Sequence, residues 1–597
     1  MKKNLVKVLT LALAAATVAG MSAMPVFAVN TVTDTWTVTA GASRGTITVQ
    51  GVKESGVTVT AYQIVKGVYS EGKLNDYALC DANFAKIADV MNPTADEVTT
   101  IANNINAKTT TLNGVTMKKS GNDYVADVEL GLYIVLVTGA DTTVYNPALV
   151  AVNAEDPING SVDMTLPFTG SAYVKSSETG FNKDIIGSSK PTEKAVSENP
   201  KNSEGDTVAF GDKVYFKIDE MTIPSYSQDY TAVQYTIEDT LENGPFLGIN
   251  NLVVTVGGAE VAAADDTYTL YYNGAKVNPG TAGSSGSAAT SFKVEFADAY
   301  IRANGNKKVE ITYDSVFTEN ATVNYAENKN TATLTYSNDP TNAENTKTLT
   351  DTTYHYTFGI DADIDAEAPG DDGDQKNKDK ETFELNKVTE AVGGDSFAEY
   401  REDGLVTMRN DTYKLQGAKF GLYTDKAMTV ARITPECDDD GYVTSDENGH
   451  ITFTGLDEGT YYMKETVAPA TYSLNDKNTY KIVIAADLDE EGVMTAYSIT
   501  TYLSTDGGAT YDETAPVGSA RYTNTGYSVN KTTGEVTNAL SDYTAITPVE
   551  IVNPKLAGLP STGGAGTIAI TIGAGIGMAG FLTLYIVNKK KKDDEAE

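Results

Sequence analysis

Short runs in which apolar and polar residues alternate recur along most of the chain, separated by Gly, Asn and Asp. Alternation with a period of two is the signature of half-buried β-strands. Lys213-Val214-Tyr215-Phe216-Lys217-Ile218 and Thr331-Ala332-Thr333-Leu334-Thr335-Tyr336 show it plainly. One segment departs from it. From Ala82 to Ile105 the apolar residues Phe84, Ile87, Val90 and Met91 recur at helical spacing, which predicts a helix. The remainder predicts a mainly β protein.

A chain of 597 residues is too long for one core. Composition shifts divide it. Alternation gives way to Ser, Gly and Lys around 166–190, to a charged stretch around 361–380, and to a different tail after Pro554. We therefore expect three units, at 29–170, 171–368 and 369–557, each a β-sandwich of immunoglobulin-like type. No short-period repeat is visible, which disfavours a solenoid.

The two ends read differently from the middle. Lys2 and Lys3, an apolar stretch from Leu5 to about Gly20, and Val26-Phe27-Ala28 predict a secretory signal peptide over 1–28. At 558–597, Leu559-Pro560-Ser561-Thr562-Gly563 precedes an apolar run from Thr567 to Val587 and then Lys589 to Lys592. That run is long enough to span a bilayer, with the lysines on the cytoplasmic side. The pattern is that of a sortase sorting signal, cut after Thr562, and it places the middle of the chain outside the cell.

Charge and rare residues narrow the function. The formal net charge is −36, which sets nucleic acid aside as a partner. Cys80 and Cys437 fall in different units, so an internal disulfide is not expected. Stability outside the cell must come from elsewhere. His355 and His450 are the two histidines, too few for a His-rich zinc site, and no Ser-His-Asp triad assembles. Asp361, Asp363, Asp365 and Glu367 alternate, but without the Gly and Glu of an EF-hand they read as a charged linker. No metal or cofactor is expected, and no enzyme activity beyond single-turnover self-modification.

The strongest chemical signal lies in the third unit. In Tyr461-Tyr462-Met463-Lys464-Glu465, alternation puts Glu465 on the apolar face of Tyr461 and Met463. A carboxylate there is costly unless it is paired. Lys387, on the face of Phe383 and Leu385, and Asn553, on the face of Val549 and Ile551, share that predicament. Desolvation favours the neutral amine and the neutral acid. A neutral lysine can attack an Asn carboxamide polarised by the acid, releasing ammonia and leaving an isopeptide crosslink.

This segment resembles the E-box of the collagen-adhesin B-type domains found in major (backbone) pilins of Gram-positive sortase-assembled pili. Leu415 to Tyr423 and Gly459-Thr460-Tyr461-Tyr462 look like the same domain, although Met463 and Thr471 stand where Leu and Gly are usual. The run Gly211-Asp212-Lys213-Val214-Tyr215-Phe216-Lys217-Ile218 is similar to the pilin middle domain. Ala61 to Ile64, Gly131 to Val135 and Tyr145-Asn146-Pro147 look like the N-terminal domain. The overall resemblance implies tandem collagen-adhesin A/B-like sandwiches.

For the second unit the resemblance implies a further isopeptide, Lys183 to Asn330 with Asp239 as the acid. Lys194, Asp219 and Asn338 are the competing candidates. No such set stands out in the first unit, and none is expected there. Trp36 reads as a packing residue. The family's "YPKN" motif is degenerate here, as Tyr173-Val174-Lys175-Ser176. It implies an exposed polymerising amine at Lys175, with Lys183 and Lys190 as alternatives.

The resemblance implies a pilus backbone subunit, secreted and anchored to the cell wall, joined by sortase from Thr562 of one copy to a lysine of the next. The implied partners are a class C pilin sortase, a housekeeping sortase, further copies, accessory and tip pilins, peptidoglycan and a possible host ligand. The alternative is a wall-anchored adhesin or an accessory or basal pilin that binds a host ligand.

Overall fold

The computed structural model describes residues 44–556, apart from 71–72, 82–93, 107–108, 111, 153–167, 227–232, 279–287, 325–326, 340–344, 365–379, 382–383, 391–397, 401–405, 410–412, 524–527, 531–534 and 538–541. The expected signal peptide, Trp36 and the sorting tail, from Leu559 through Gly563 and beyond, lie outside the described residues.

In the first unit, strand Arg44–Gln50 runs parallel to Phe168–Tyr173 and antiparallel to Asp123–Glu129. A second sheet centres on Thr58–Ser70 and Gly131–Thr138. Ile47, Val49, Ala61, Tyr133 and Val135 pack between the sheets. Helix Ala95–Asn106 covers the other side of the second sheet, meeting Ile64, Leu132, Ile134 and Leu136 with Ile101, Ala102 and Ile105. Strand Gly131–Thr138 is thus buried on both faces, which is why its sequence is continuously apolar rather than alternating. The helix begins at a capping box in which Thr94 and Glu97 bond each other's backbone N–H. The expected helix is described only over this later part; Phe84, Ile87, Val90 and Met91 lie outside the described residues.

The second unit is a sandwich. A five-stranded sheet contains Asn182–Ser189, Lys213–Thr222, Lys308–Phe317 and Phe246–Val256 in that order, with Ala259–Glu260 at its edge. It faces a seven-stranded sheet in which Thr346–Tyr356, Asn328–Ser337, Tyr235–Leu241 and Ser291–Phe296 are successive neighbours. Both runs picked out by alternation lie here. Lys213–Thr222 and Asn328–Ser337 bury every second side chain over most of their length.

The third unit is built on a seven-stranded antiparallel sheet. Its centre is Lys419–Tyr423, Gly459–Val467, Thr479–Leu488, Met494–Ser504 and Gly518–Thr523. A parallel pair, Leu385–Thr389 with Val549–Asn553, brings together chain segments from the two ends of the unit. Phe358–Ile360 pairs with Phe453–Leu456, and Phe358 and Ile360 join this unit's core, ahead of the boundary expected at 368.

Asp361 corrects the linker reading. It is buried, and its carboxylate accepts the backbone N–H groups of Glu384 and Leu385 on one oxygen and of Ile451 on the other. One carboxylate thereby holds three chain segments together, a stabilising role for a group whose charge is satisfied by N–H donors.

The units also contact one another. Tyr336 Oη donates to the Thr142 carbonyl at 2.7 Å across the first junction. At the second, Lys201 pairs with Glu458 at 2.6 Å and Arg432 donates to the Phe210 and Gly455 carbonyls. Gly455 is required there. Its φ is +70°, and a Cβ would fall 2.0 Å from the Phe210 ring.

Candidate functional site: two buried lysine–acid–asparagine clusters

Lys183 projects inward from the edge of the five-stranded sheet, opposite Ile218 in register. In the facing sheet, Asp239 sits opposite Ala332 and Leu241 opposite Asn330. Asp239 and Asn330 are therefore diagonal neighbours two residues apart on adjacent strands, on one face. The sandwich brings the three together, all fully buried. Lys183 Nζ donates to Asp239 Oδ2, and the Lys183 backbone N–H donates to Asp351 at 2.7 Å. Phe216 and Tyr313 pack their rings against the ammonium.

Tyr313 is the residue that sequence reasoning missed. Its hydroxyl accepts from Lys183 Nζ at 3.0 Å and from Asn330 Nδ2 at 2.6 Å, and donates to Asp239 Oδ1 at 2.8 Å. Among the described residues, Asn330 Oδ1 has no hydrogen-bond partner. Alternation through Val309, Ile311 and Tyr313 would have turned this phenol inward, where a hydroxyl needs a partner. Burial drives the Lys183 amine below its usual pKa, although Asp239 opposes the shift. It pushes the Asp239 carboxyl up, against the pull of Lys183. Both shifts favour the neutral forms.

The competing candidates lie elsewhere. Lys194 is exposed, Asp219 pairs with Lys217 at 2.7 Å, and Asn338 donates to the Ala140 carbonyl at the first junction.

In the third unit Glu465 points inward as its strand's alternation dictates, with Tyr461 and Met463. Lys387 lies opposite Ile551 in the parallel pair and donates through Nζ to the Ile551 carbonyl at 2.7 Å. Asn553 Nδ2 donates to Glu465 Oε2 at 3.1 Å and to the Ser473 carbonyl at 2.9 Å. Glu465 Oε1 and Asn553 Oδ1 have no hydrogen-bond partner among the described residues. Burial lowers Lys387 to about 8, with the nearby Glu465 charge opposing. Burial raises Glu465, against the pull of Lys387 and the Asn553 hydrogen bond.

Lys175 lies between strands Phe168–Tyr173 and Ser176–Ser177, at the first junction. Its carbonyl accepts from Asn146 N–H at 2.9 Å, and Ser176–Ser177 pairs with Val144–Tyr145. It is half-buried rather than exposed as expected, and partial desolvation lowers its amine pKa. Of its two alternatives, Lys183 is enclosed in the core, and Lys190 forms ion pairs with Asp212 at 3.1 Å and Glu198 at 3.5 Å.

Comparison with known proteins adds to this geometry. The family described as the SpaA prealbumin-like fold domain matches residues 407–498, which include Glu465. The T6 antigen Ig-like domain matches 42–173, and the LPXTG cell wall anchor motif matches 551–595. The trypsin-resistant surface T6 protein of Streptococcus pyogenes serotype M6 is 26% identical over 567 residues, covering 90% of this chain and 94% of its own. The solved structure of the T6 backbone pilin of serotype M6 Streptococcus pyogenes, described as modular and three-domain, superposes with a TM-score of 0.53. It is 20% identical, covering 86% of this chain and 99% of that one, and shows the shared fold.

Tandem sandwiches ahead of a cell-wall anchor motif define a Gram-positive surface protein attached to the wall. Within that class, the chain is similar over most of its length to the T6 surface protein and shares the fold of the T6 backbone pilin. It is a structural pilus subunit.

Proposed function

We propose that this chain is the backbone subunit of a covalent pilus, joined by sortase between Thr562 of one copy and Lys175 of the next, and hardened by the isopeptides Lys183–Asn330 and Lys387–Asn553. The observation that carries this reading is a lysine, an acid and an asparagine buried together in each of two units that contain no disulfide.

The sortase thiol attacks the Thr562 carbonyl and expels Gly563 with the tail. A class C pilin sortase passes the acyl group to Lys175 of another copy, and a housekeeping sortase passes it to a peptidoglycan amine. Accessory and tip pilins and a host ligand complete the expected partners. The half-buried position of Lys175 suits this role, since partial desolvation raises the share of neutral amine that can attack.

Inside each unit, the acid takes a proton from its lysine, and the neutral amine attacks Cγ of the asparagine. The amine adds to Cγ, one proton passes from Nζ to Nδ2, and the C–Nδ2 bond then breaks to release ammonia. Proximity in a water-excluded core drives a reaction that needs no turnover. Glu465 and Asp239 are the promoting acids; of the domains expected at 29–170, 171–368 and 369–557, the last two carry the crosslinks, with the boundary between them ahead of Phe358.

Wall extracts of the producing cell should show a high-molecular-weight ladder that collapses when Lys175 is changed to Ala. A single anchored band in the wild type would instead identify an adhesin or accessory pilin. Each isopeptide lowers the intact mass by about 17 Da, one ammonia. A chain at full mass would reject the crosslinks.

A further inference from the structure

Among the described residues, the Tyr313 hydroxyl contacts all three groups of the second-unit cluster, and its three hydrogen-bond positions are all used. It touches the nucleophilic nitrogen of Lys183 and the leaving nitrogen of Asn330 at once. Crosslinking must move one proton, net, from the first nitrogen to the second: an amine and a carboxamide become a secondary amide and ammonia. Asp239 bonds Lys183 Nζ directly, yet it is Tyr313 that accepts the hydrogen bond from Asn330 Nδ2.

We propose that Tyr313 is a catalytic proton shuttle for the Lys183–Asn330 crosslink. The proposal rests on the isopeptide reading above. Once Lys183 has added to Cγ, the Nζ atom carries a surplus proton. Tyr313 Oη takes that proton while passing its own to Nδ2, and the C–Nδ2 bond breaks to release ammonia. The phenol ends as it began, so no co-reactant is needed and no phenolate accumulates. Burial and the adjacent Asp239 hold the phenol well above its usual pKa, in keeping with a group that exchanges protons without staying ionised. Asp239 takes the first proton from the lysine, and the phenol O–H, which points at Asp239 Oδ1 before reaction, then swings to Nδ2. The third-unit cluster is arranged differently: Asn553 Nδ2 donates directly to Glu465, and Lys387 Nζ donates to the Ile551 carbonyl.

The test uses the full chain made by cell-free synthesis, sampled over time and digested, with the Lys183–Asn330 and Lys387–Asn553 crosslinked peptides quantified by mass spectrometry. Tyr313→Phe keeps the ring in the core and removes the hydroxyl. Its second-unit crosslink should form at least about 100-fold more slowly, while the third-unit crosslink keeps its wild-type rate and reports that the chain has folded. An unchanged second-unit rate would overturn the shuttle and leave the isopeptide standing. Absence of the crosslink from wild type would overturn both. Site-specific 3,5-difluorotyrosine at 313 keeps the hydrogen bonds but makes the phenol more acidic. A rate that shifts several-fold supports proton transfer, and a rate that does not move shows that Tyr313 only positions its neighbours and overturns the shuttle.

Discussion

The second and third units enclose the same three residue types, yet their surroundings differ. In the second, the cluster lies between two facing sheets, the acid is an aspartate, and a phenol stands between lysine and asparagine. In the third, lysine and asparagine lie on paired parallel strands, the acid is a glutamate, and the lysine rests on a backbone carbonyl. The shorter aspartate bonds the lysine and leaves the asparagine nitrogen to Tyr313, whereas Glu465 accepts from Asn553 directly. Side-chain length and strand geometry together decide whether the asparagine nitrogen meets the acid itself or a phenol beside it.

The largest expected effect comes from removing each lysine. Lys183→Ala and Lys387→Ala should each abolish one crosslinked peptide and lower the intact mass by only about 40 Da, the about 57 Da of the truncated side chain less the about 17 Da of the ammonia that is kept. Closing a loop of more than about 100 residues contributes on the order of 5 kcal/mol in chain-entropy terms, so each variant should unfold at markedly lower temperature. A variant lighter than wild type by the full side-chain loss of about 57 Da, with no ammonia regained, would dissolve the comparison.

A smaller effect separates the units in acid. His355 is fully buried in the second unit, its ring edge-on to Phe216 and Phe246 with centroids 5.3 Å away, and burial pushes its pKa down to about 3. The unfolded chain takes up this proton near pH 6.5 and the folded unit does not. Stability is therefore full above that pH and falls progressively as the pH drops toward 3, by on the order of 4 kcal/mol. In a Lys183→Ala background, His355→Phe should flatten that fall in urea titrations at pH 7 and pH 4. Parallel losses with and without His355 would assign the acid sensitivity to other groups.

The smallest effect concerns the rate of the third-unit reaction. In the proposed reaction Lys387 is neutral and Glu465 protonated, a form with one proton on the pair. That form is depleted as pH rises through about 8, where Lys387 loses its proton, and as pH falls below the raised Glu465 pKa. Time courses of Lys387–Asn553 formation should give a bell, dropping about tenfold one unit above the upper limb. A rate that climbs steadily past pH 9 would show that no protonated acid is needed.

Much of this was legible from local pattern. Alternation turned Glu465, Asp239 and Lys183 inward because a strand's side chains must face opposite sides of a sheet. Asp361 was not legible. A run of alternating acids reads as solvated charge, and nothing local reveals that backbone N–H groups from residues far along the chain converge on one of them. Tyr313 was hidden for a related reason. An inward tyrosine in a β core is ordinary, and its significance appears once the opposite sheet supplies the three groups its hydroxyl meets.

The sequence by itself determined the β architecture, the sorting motif ending at Thr562 and Gly563, and which polar residues would be forced into apolar surroundings, because these follow from period and composition within a few residues. The tertiary structure decided which lysine meets which asparagine. It set Lys194, Asp219 and Asn338 apart from the second cluster, left Lys175 half-buried at a junction, and placed a phenol between two nitrogens. Those outcomes depend on strand register and on how two sheets face each other, and both are set by the packing of the whole sandwich.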